Sequence, residues 1–320
     1  MKHTALTAFL LALALCLGGC FWEDIPRRQE GKTTLLPEML QPAAPDSGGR
    51  TFGVMLPREG DEDCQILLKA LQQAAGQKGD HLLVCQAGGD LYTQIGQAEA
   101  LIRQGVDGVY LMAVDGSGLK LALEALSAAK IPVVALDTAV TRGQPDAFVG
   151  SDDAQVGQVT AGLLRSRFPN GCRAFVLENL EEAALYRRVT AFYAAMNSSG
   201  FYFVGAAECA DEAEAARQAM SGFLAENPAG VDVVVCTGGQ MAAGVIAAYE
   251  EAGEYLPLIY CMGTSESAQA ALKDGKLAAL VEKPTEESAG KAAQAMEEVL
   301  AGRSPGSQTL PPRVLLGGAG

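Results

Sequence analysis

From residue 51 onward the chain alternates short apolar runs with segments of helical period. Thr51–Leu56 is an apolar run, and the segment that follows over 64–78 carries Leu67, Leu68, Leu71, Ala74 and Ala75 on one helical face. Apolar runs at 81–85, 106–114, 131–137 and 148–151 predict further strands, with helices at Leu91–Gln104 and 119–129 between them. The order then restarts. Strands are predicted at Arg173–Glu178, 201–208, 231–237, 257–263 and 277–282. Helices are predicted at 184–199, 211–226, 240–252 and 267–274, and a last one at 285–301 presents Ala289, Ala292, Ala293, Met296 and Val299 on one face. Runs such as Val231-Asp232-Val233-Val234-Val235 suit parallel strands covered by helices on both faces. Two such blocks predict an α/β protein of two doubly wound parallel-sheet lobes.

The first fifty residues follow a different rule. Lys2 and His3 precede an apolar run from Ala5 to Leu17, and Gly18, Gly19 and Cys20 follow. The run is 13 residues long, short for a bilayer-spanning helix. A basic start, a short apolar core and small residues before a break predict an export signal over residues 1–19. Residues 20–50 hold Pro26, Pro37, Pro42, Pro45, Gly48 and Gly49 with little periodicity and read as a tether. Fully extended, such a tether reaches about 100 Å. Trp22, the single tryptophan, is expected at the lipid interface rather than at a ligand.

Composition narrows the chemistry. The chain has 320 residues, of which 49% are hydrophobic and 19% charged, enough to bury a real core. Lys plus Arg is 24 against 38 for Asp plus Glu, a formal charge of −14. Loss of residues 1–19 removes Lys2 and no acid, giving 23 − 38 = −15. Such a surface repels phosphate backbones and excludes a nucleic-acid partner. The two histidines, His3 and His81, exclude a zinc site built on several histidines. Six cysteines follow Cys20: Cys64, Cys85, Cys172, Cys209, Cys236 and Cys261. Their spacing sets no connectivity, and for Cys236 and Cys261 a disulfide and two buried thiols fit equally.

In open parallel sheets ligands sit beyond the carboxyl ends of the strands, so the residues after each strand carry the functional reading. Arg58, Glu59, Asp61, Glu62 and Asp63 follow the first strand. Acids at that place also serve the helix electrostatically, whereas one facing a cleft accepts hydrogen bonds from a hydroxyl or an amine. Asp137, followed by Thr138, ends a wholly apolar strand and is poised for a polar ligand or for a turn. Arg187 and Arg188 lie near the start of a helix, where the dipole disfavours them. A planar fork facing a carboxylate or a diol accounts for that placement, as does plain surface charge. Thr237-Gly238-Gly239-Gln240 ends a strand and opens a helix without full dinucleotide spacing, so it reads as a tight turn with some capacity for an anion. No phosphate-loop lysine motif and no Gly-x-Ser-x-Gly elbow occurs. His81 begins a strand, at the wrong end for a Ser-His-Asp triad. No catalytic residue, cofactor or metal site is expected.

Two resemblances add to this reading. Leu17-Gly18-Gly19-Cys20 resembles the lipobox of bacterial lipoproteins, which implies that Cys20 is the lipidated first residue of the mature chain. Residues 51–302 resemble the type I periplasmic substrate-binding proteins, in particular the ribose-binding-like group. The segments that carry it are Ile131-Pro132-Val133-Val134-Ala135-Leu136-Asp137 and Val149-Gly150-Ser151-Asp152-Asp153 with Gly157 and Ala161-Gly162. Arg187-Arg188 with Phe192, Gln240-Met241-Ala242 with Gly244, and Leu272-Lys273-Asp274-Gly275-Lys276-Leu277 complete it. The resemblance implies two lobes joined by a three-segment hinge: 51–150 plus 284–311, and 151–283 plus 312–320. It implies a ligand between them. Position by position, Asp137 and Arg188 match the family's binding Asp and Arg. Glu62 stands at an Asn position and Arg58 at a small polar one. Gly238 stands where the family has Asn and Gly263 where it has Asp. Glu282 or Lys283 stands at the hinge Gln, and Cys64 and Gln65 at the stacking aromatics. Tyr92 and Tyr186 are the nearest aromatic substitutes.

The expectation is an extracytoplasmic, lipid-anchored solute-binding protein. It captures a small polar solute, a sugar or related polyol, and serves an ABC transporter permease. The charged groups at Arg58, Glu62, Arg188 and Glu282 leave a smaller or more ionic ligand open. A sensory receptor of the same fold, signalling to a membrane kinase or chemoreceptor, is the alternative. A LacI-type repressor needs a helix-turn-helix and a cytoplasmic chain, against which the signal and the charge speak, and an enzyme on the same plan lacks a usable nucleophile or base.

Overall fold

The computed structural model of the chain describes residues 49–58, 62–196 and 200–318. The export signal, Cys20 and most of the tether lie outside the described residues. Two six-stranded sheets form the frame. The first has the order β11-β5-β4-β3-β1-β2, built from β1 (Thr51–Leu56), β2 (His81–Gln86), β3 (Gly108–Met112), β4 (Val133–Leu136), β5 (Ala147–Ser151) and β11 (Gly306–Leu310). The second has the order β12-β10-β9-β8-β6-β7, built from β6 (Arg173–Glu178), β7 (Tyr202–Glu208), β8 (Val233–Cys236), β9 (Leu258–Met262), β10 (Ala279–Glu282) and β12 (Arg313–Leu316). Every pairing is parallel except β10 with β12. This is the type I periplasmic binding protein fold.

Helices cover both faces. In the first lobe α1 (Glu62–Lys78) and the C-terminal helix α9 (Thr285–Leu300) share one face, where Leu67, Leu71, Ala292 and Met296 pack on Phe52, Val54 and Val134. The helices α2 (Leu91–Gln104) and α3 (Lys120–Ala128) complete this lobe. In the second, α4 (Asp153–Arg167) and α5 (Ala183–Met196) take one face, and α6 (Ala213–Glu226), α7 (Met241–Ala252) and α8 (Glu266–Lys273) the other. Alternation along a strand makes this work. Val233 and Val235 pack with Val156 and Phe192, while Val234 and Cys236 pack with Phe223 and Val245. All four β8 residues are therefore buried, as a strand covered on both sides requires.

The chain passes from the first sheet to the second after Ser151, back at Lys283–Pro284 ahead of α9, and across again between Leu310 and Arg313. Three elements were not anticipated. Helix α4 is rich in small residues and only weakly amphipathic, so its period is faint. Strands β11 and β12 are short, largely exposed edge strands with no apolar alternation to announce them. None of the six cysteines from Cys64 to Cys261 is in a disulfide. Cys236 and Cys261 are register neighbours on β8 and β9, and both are buried thiols, pushed well above the ordinary thiol range by burial. Among the described residues no helix is long and apolar enough to cross a membrane.

Gly157 explains how α4 and α5 approach. A Cβ there would stand 2.0 Å from the Arg188 carbonyl oxygen and 2.8 Å from the Phe192 amide nitrogen. Both neighbours are backbone and have no rotamer to yield. Gly157→Ala should therefore cost about 2–3 kcal/mol by overpacking, read as a lower urea midpoint. An unchanged midpoint would show that the two helices can part freely.

Candidate functional site

The carboxyl ends of both sheets bring their loops to one place. Lys283 immediately follows β10, on the second of the three connecting segments. Its Nζ lies 2.6 Å from Asp137 Oδ1 and 2.9 Å from Asp63 Oδ2, and only 7% of its side chain is exposed. Asp137 directly follows β4 and Asp63 lies in the first turn of α1, so one cation gathers two acids of the first lobe. Asp137 holds a left-handed backbone, φ 57°. An Asp tolerates this conformation better than most residues, and its amide donates to the Val149 carbonyl at 3.0 Å. Asp63 also accepts from Thr285 Oγ1 at 2.7 Å.

Arg188 forms the second focus. It is 5% exposed. Its Nε donates to Asp153 Oδ1 at 2.9 Å and its Nη1 to the Met262 carbonyl at 2.7 Å. Arg187 donates to the other Asp153 oxygen at 2.8 Å. Asp153 sits in the first turn of α4, where the helix N-terminus favours a carboxylate.

Electrostatics tie these groups into one network. Burial alone would raise Asp63, but the Lys283 ammonium, the Thr285 hydroxyl and Arg188 hold it below the ordinary carboxylate range. Burial pushes Asp137 above that range in spite of Lys283, and Asp63 adds repulsion. Burial would lower Lys283, yet Asp137 and Asp63 reverse this and hold it above the usual lysine range. For Arg188, burial is likewise outweighed by Asp153 and Asp63. Burial would raise Asp153, and the two arginines with Lys283 bring it down.

Two glycines admit side chains from elsewhere. A Cβ on Gly238 would meet the Asp211 carboxyl carbon at 2.2 Å, so the carboxylate of Asp211, just beyond β7, occupies the space of the missing side chain. Asp211 Oδ1 accepts from the amides of Gln240 and Met241 at 2.8 and 3.2 Å, serving the start of α7. Gly263 has φ +146°, and a Cβ there would stand 2.8 Å from Arg188 Nη1. Burial first, then the neighbouring acids Asp63 and Glu266, push Glu62 above the ordinary glutamate range.

The expected residues are thus partly assembled. Asp137, Glu62, Arg188, Gly238 and Gly263 belong to this cluster, and half-buried Thr138 follows Asp137 in the same turn. Arg58 is exposed and lies beside Gly89. Of the two candidates at the hinge, Lys283 enters the network. Glu282 is drawn to Arg313 at 3.4 Å and lines a hollow with Lys273 and Leu315, because consecutive strand residues point to opposite faces. Tyr186 is half exposed and Tyr92 largely exposed. Asp211 escaped the sequence reading, although its place after an apolar strand was the available signal. A separate hollow of about 550 Å³ lies between the C-terminal ends of α6 and α7, beside Tyr249 and Tyr255. It opens at the amino end of β8, away from these loops.

Comparison with known proteins fits this geometry. A family model described as a periplasmic binding protein domain matches residues 52–304. The chain belongs to that family. The binding protein is 26% identical over 245 residues to the ribose import binding protein of Bacillus subtilis (strain 168), an alignment covering 74% of this chain and 77% of the relative. Its structure is similar to an ABC transporter solute binding protein of Bacillus halodurans C-125 with bound myo-inositol. That match has TM-score 0.72 and 21% identity, over 85% of this chain and 96% of the other. It is similar also to the arabinose ABC transporter binding component of Shewanella sp. ANA-3 bound to L-arabinofuranose. There the TM-score is 0.73 and the identity 23%, over 83% of this chain and 91% of the other. These structural likenesses establish the fold.

The charge network of the binding protein makes a pH-dependent prediction. Asp63, with its lowered folded pKa, contributes stability above the ordinary Asp range, and this is lost as pH falls through the folded value. Lys283→Met removes the cation and raises the folded pKa of both acids. The variant then loses stability as pH rises through the carboxylate range. The deficit should be about 3 kcal/mol at neutral pH and shrink toward about pH 4.5, measured by urea unfolding at both. A deficit independent of pH would assign Lys283 a packing role instead.

Proposed function

We propose that this chain is an extracytoplasmic, lipid-anchored solute-binding protein that captures a small polar solute, a sugar or related polyol, between its two lobes for an ABC importer. The observation that carries the reading is the gathering of Asp137, Glu62 and Arg188 where the two sheets' carboxyl ends meet, in a family whose members include ribose import binding proteins. Carboxylates accept from solute hydroxyls, and a guanidinium donates to their oxygens. None of this needs chemistry on the solute. A ligand touching both lobes favours the closed form by its differential affinity, and closure aligns the two lobe surfaces for a permease. The lobe boundaries at 150 and 283 and the lipid on Cys20 are part of this proposal. The lipobox-like Leu17-Gly18-Gly19-Cys20 supports the anchor, since an acidic chain has no basic attraction to a membrane.

The test is a thermal-shift screen of the full chain in detergent against pentoses, hexoses and cyclitols. A bound solute raises the melting temperature with concentration. Asp137→Ala and Arg188→Ala should abolish the shift, and variants that respond fully would remove these residues from the site. For the anchor, Cys20→Ser should move the protein from the membrane to the soluble fraction of its host cells. Retention on the membrane would show that another segment holds it.

A further inference from the structure

The hollow between the C-terminal ends of α6 and α7 lies apart from the cleft, and the solute-binding reading makes no use of it. Its volume of about 550 Å³ is that of a small-molecule site. Leu224, Val231 and Ala248 give it an apolar wall, and Tyr249 and Tyr255 bring two aromatic rings. Tyr249 is 3% exposed, and its hydroxyl is buried with no hydrogen-bond partner among the described residues. Buried polar groups are nearly always bonded, because an unbonded one forfeits its hydration for nothing. This hydroxyl is therefore set for a partner that the chain does not supply. Tyr255 is 96% exposed beside the same hollow, and so offers a free ring face to whatever enters.

The hollow is also negative. Two helices end at it, and a helix C-terminus carries partial negative charge. Neither helix has a basic residue in its last turn, and no Lys, Arg or His is among the lining residues. Nearby cations are committed elsewhere: Arg217 to Glu214 and Glu251 at 2.6 and 2.9 Å, and Arg173 to the Gly230 carbonyl at 3.2 Å. Glu254 lines the hollow and is in no ion pair among the described residues. Its amide donates to the Tyr249 carbonyl at 3.1 Å, which ties it to the residue with the unbonded hydroxyl. Burial first, and then Glu254, raise the Tyr249 phenol above its ordinary range. A metal ion does not suit the place, since no three metal-ligating side chains cluster among the described residues and half the wall is apolar. An organic cation does, because tyrosine faces attract ammonium groups. We propose that this hollow is a second binding site, for a small organic amine with an apolar body. The body lies against Leu224, Val231 and Ala248 under the Tyr255 ring, and the ammonium faces Glu254 and donates to the Tyr249 hydroxyl oxygen.

The experiment is calorimetric titration of the full chain in detergent, against a detergent blank, with two matched pairs: phenethylamine and 2-phenylethanol, and cyclohexylmethylamine and cyclohexylmethanol. At least one amine should bind saturably and about tenfold more tightly than its neutral twin, the value of a charge-assisted bond. Glu254→Gln removes the charge, and Tyr249→Phe removes the hydroxyl alone. Each should weaken that amine about tenfold. Without ligand, Tyr249→Phe should melt no lower than the parent chain, because the hydroxyl it loses has no partner to give up. A lower melting temperature would show that the hydroxyl is already bonded and would overturn the proposal. So would an alcohol that binds as tightly as its amine, or variants that keep full affinity, which would place the amine elsewhere. Failure of both amines to bind saturably would overturn it as well. None of these outcomes bears on the cleft, whose residues lie at the other end of the strands.

Discussion

A buried ammonium is stable only with partners, and Lys283 has two, one from the end of β4 and one from the start of α1. The rest of the cleft depends on this arrangement. Lys283 belongs to the segment that links the second sheet to α9, so the pairing ties that connection to the end of β4 and the start of α1. It also divides the acids of the site. Asp63 is held ionised by its share of the cation, whereas Asp137, more strongly desolvated, is pushed the other way. One cation thus serves two carboxylates unequally.

The second consequence concerns space. At 238 and 263 the chain has no side chain, and the volume is filled from other elements by Asp211 and by Arg188. The chemistry facing the cleft is therefore set by residues that arrive from β7 and α5 rather than by the loops that border it. A carboxylate stands by Gly238 and a guanidinium by Gly263, so charged groups occupy places that a one-to-one carry-over of family positions would leave vacant. Where the acids are paired the network is neutral.

Much of the architecture was legible along the chain. Alternating apolar runs and helical periods are local properties, and they marked Leu91–Gln104 and Arg173–Glu178 to the residue. They were silent for α4, whose small residues leave little moment, and for β11 and β12, whose exposed edges need no apolar alternation. Asp137 and Arg188 were found because a charged residue beside an apolar run is conspicuous in one dimension. Lys283 and Glu282 were not separable, because which neighbour faces the cleft depends on the pleat of β10 and on its partner Arg313.

Sequence by itself determined that this chain folds as two wound α/β blocks, and that polar groups collect after its strands. Those outcomes follow from residue period and composition, which act locally. Only the tertiary structure decided which charges meet. Asp63 and Lys283 are 220 residues apart, and Asp211 reaches the cleft because a glycine on a neighbouring strand end makes room for it. Pairing energies act over a few ångströms of space, and distance along the chain carries no information about them until the sheets have brought their carboxyl ends together.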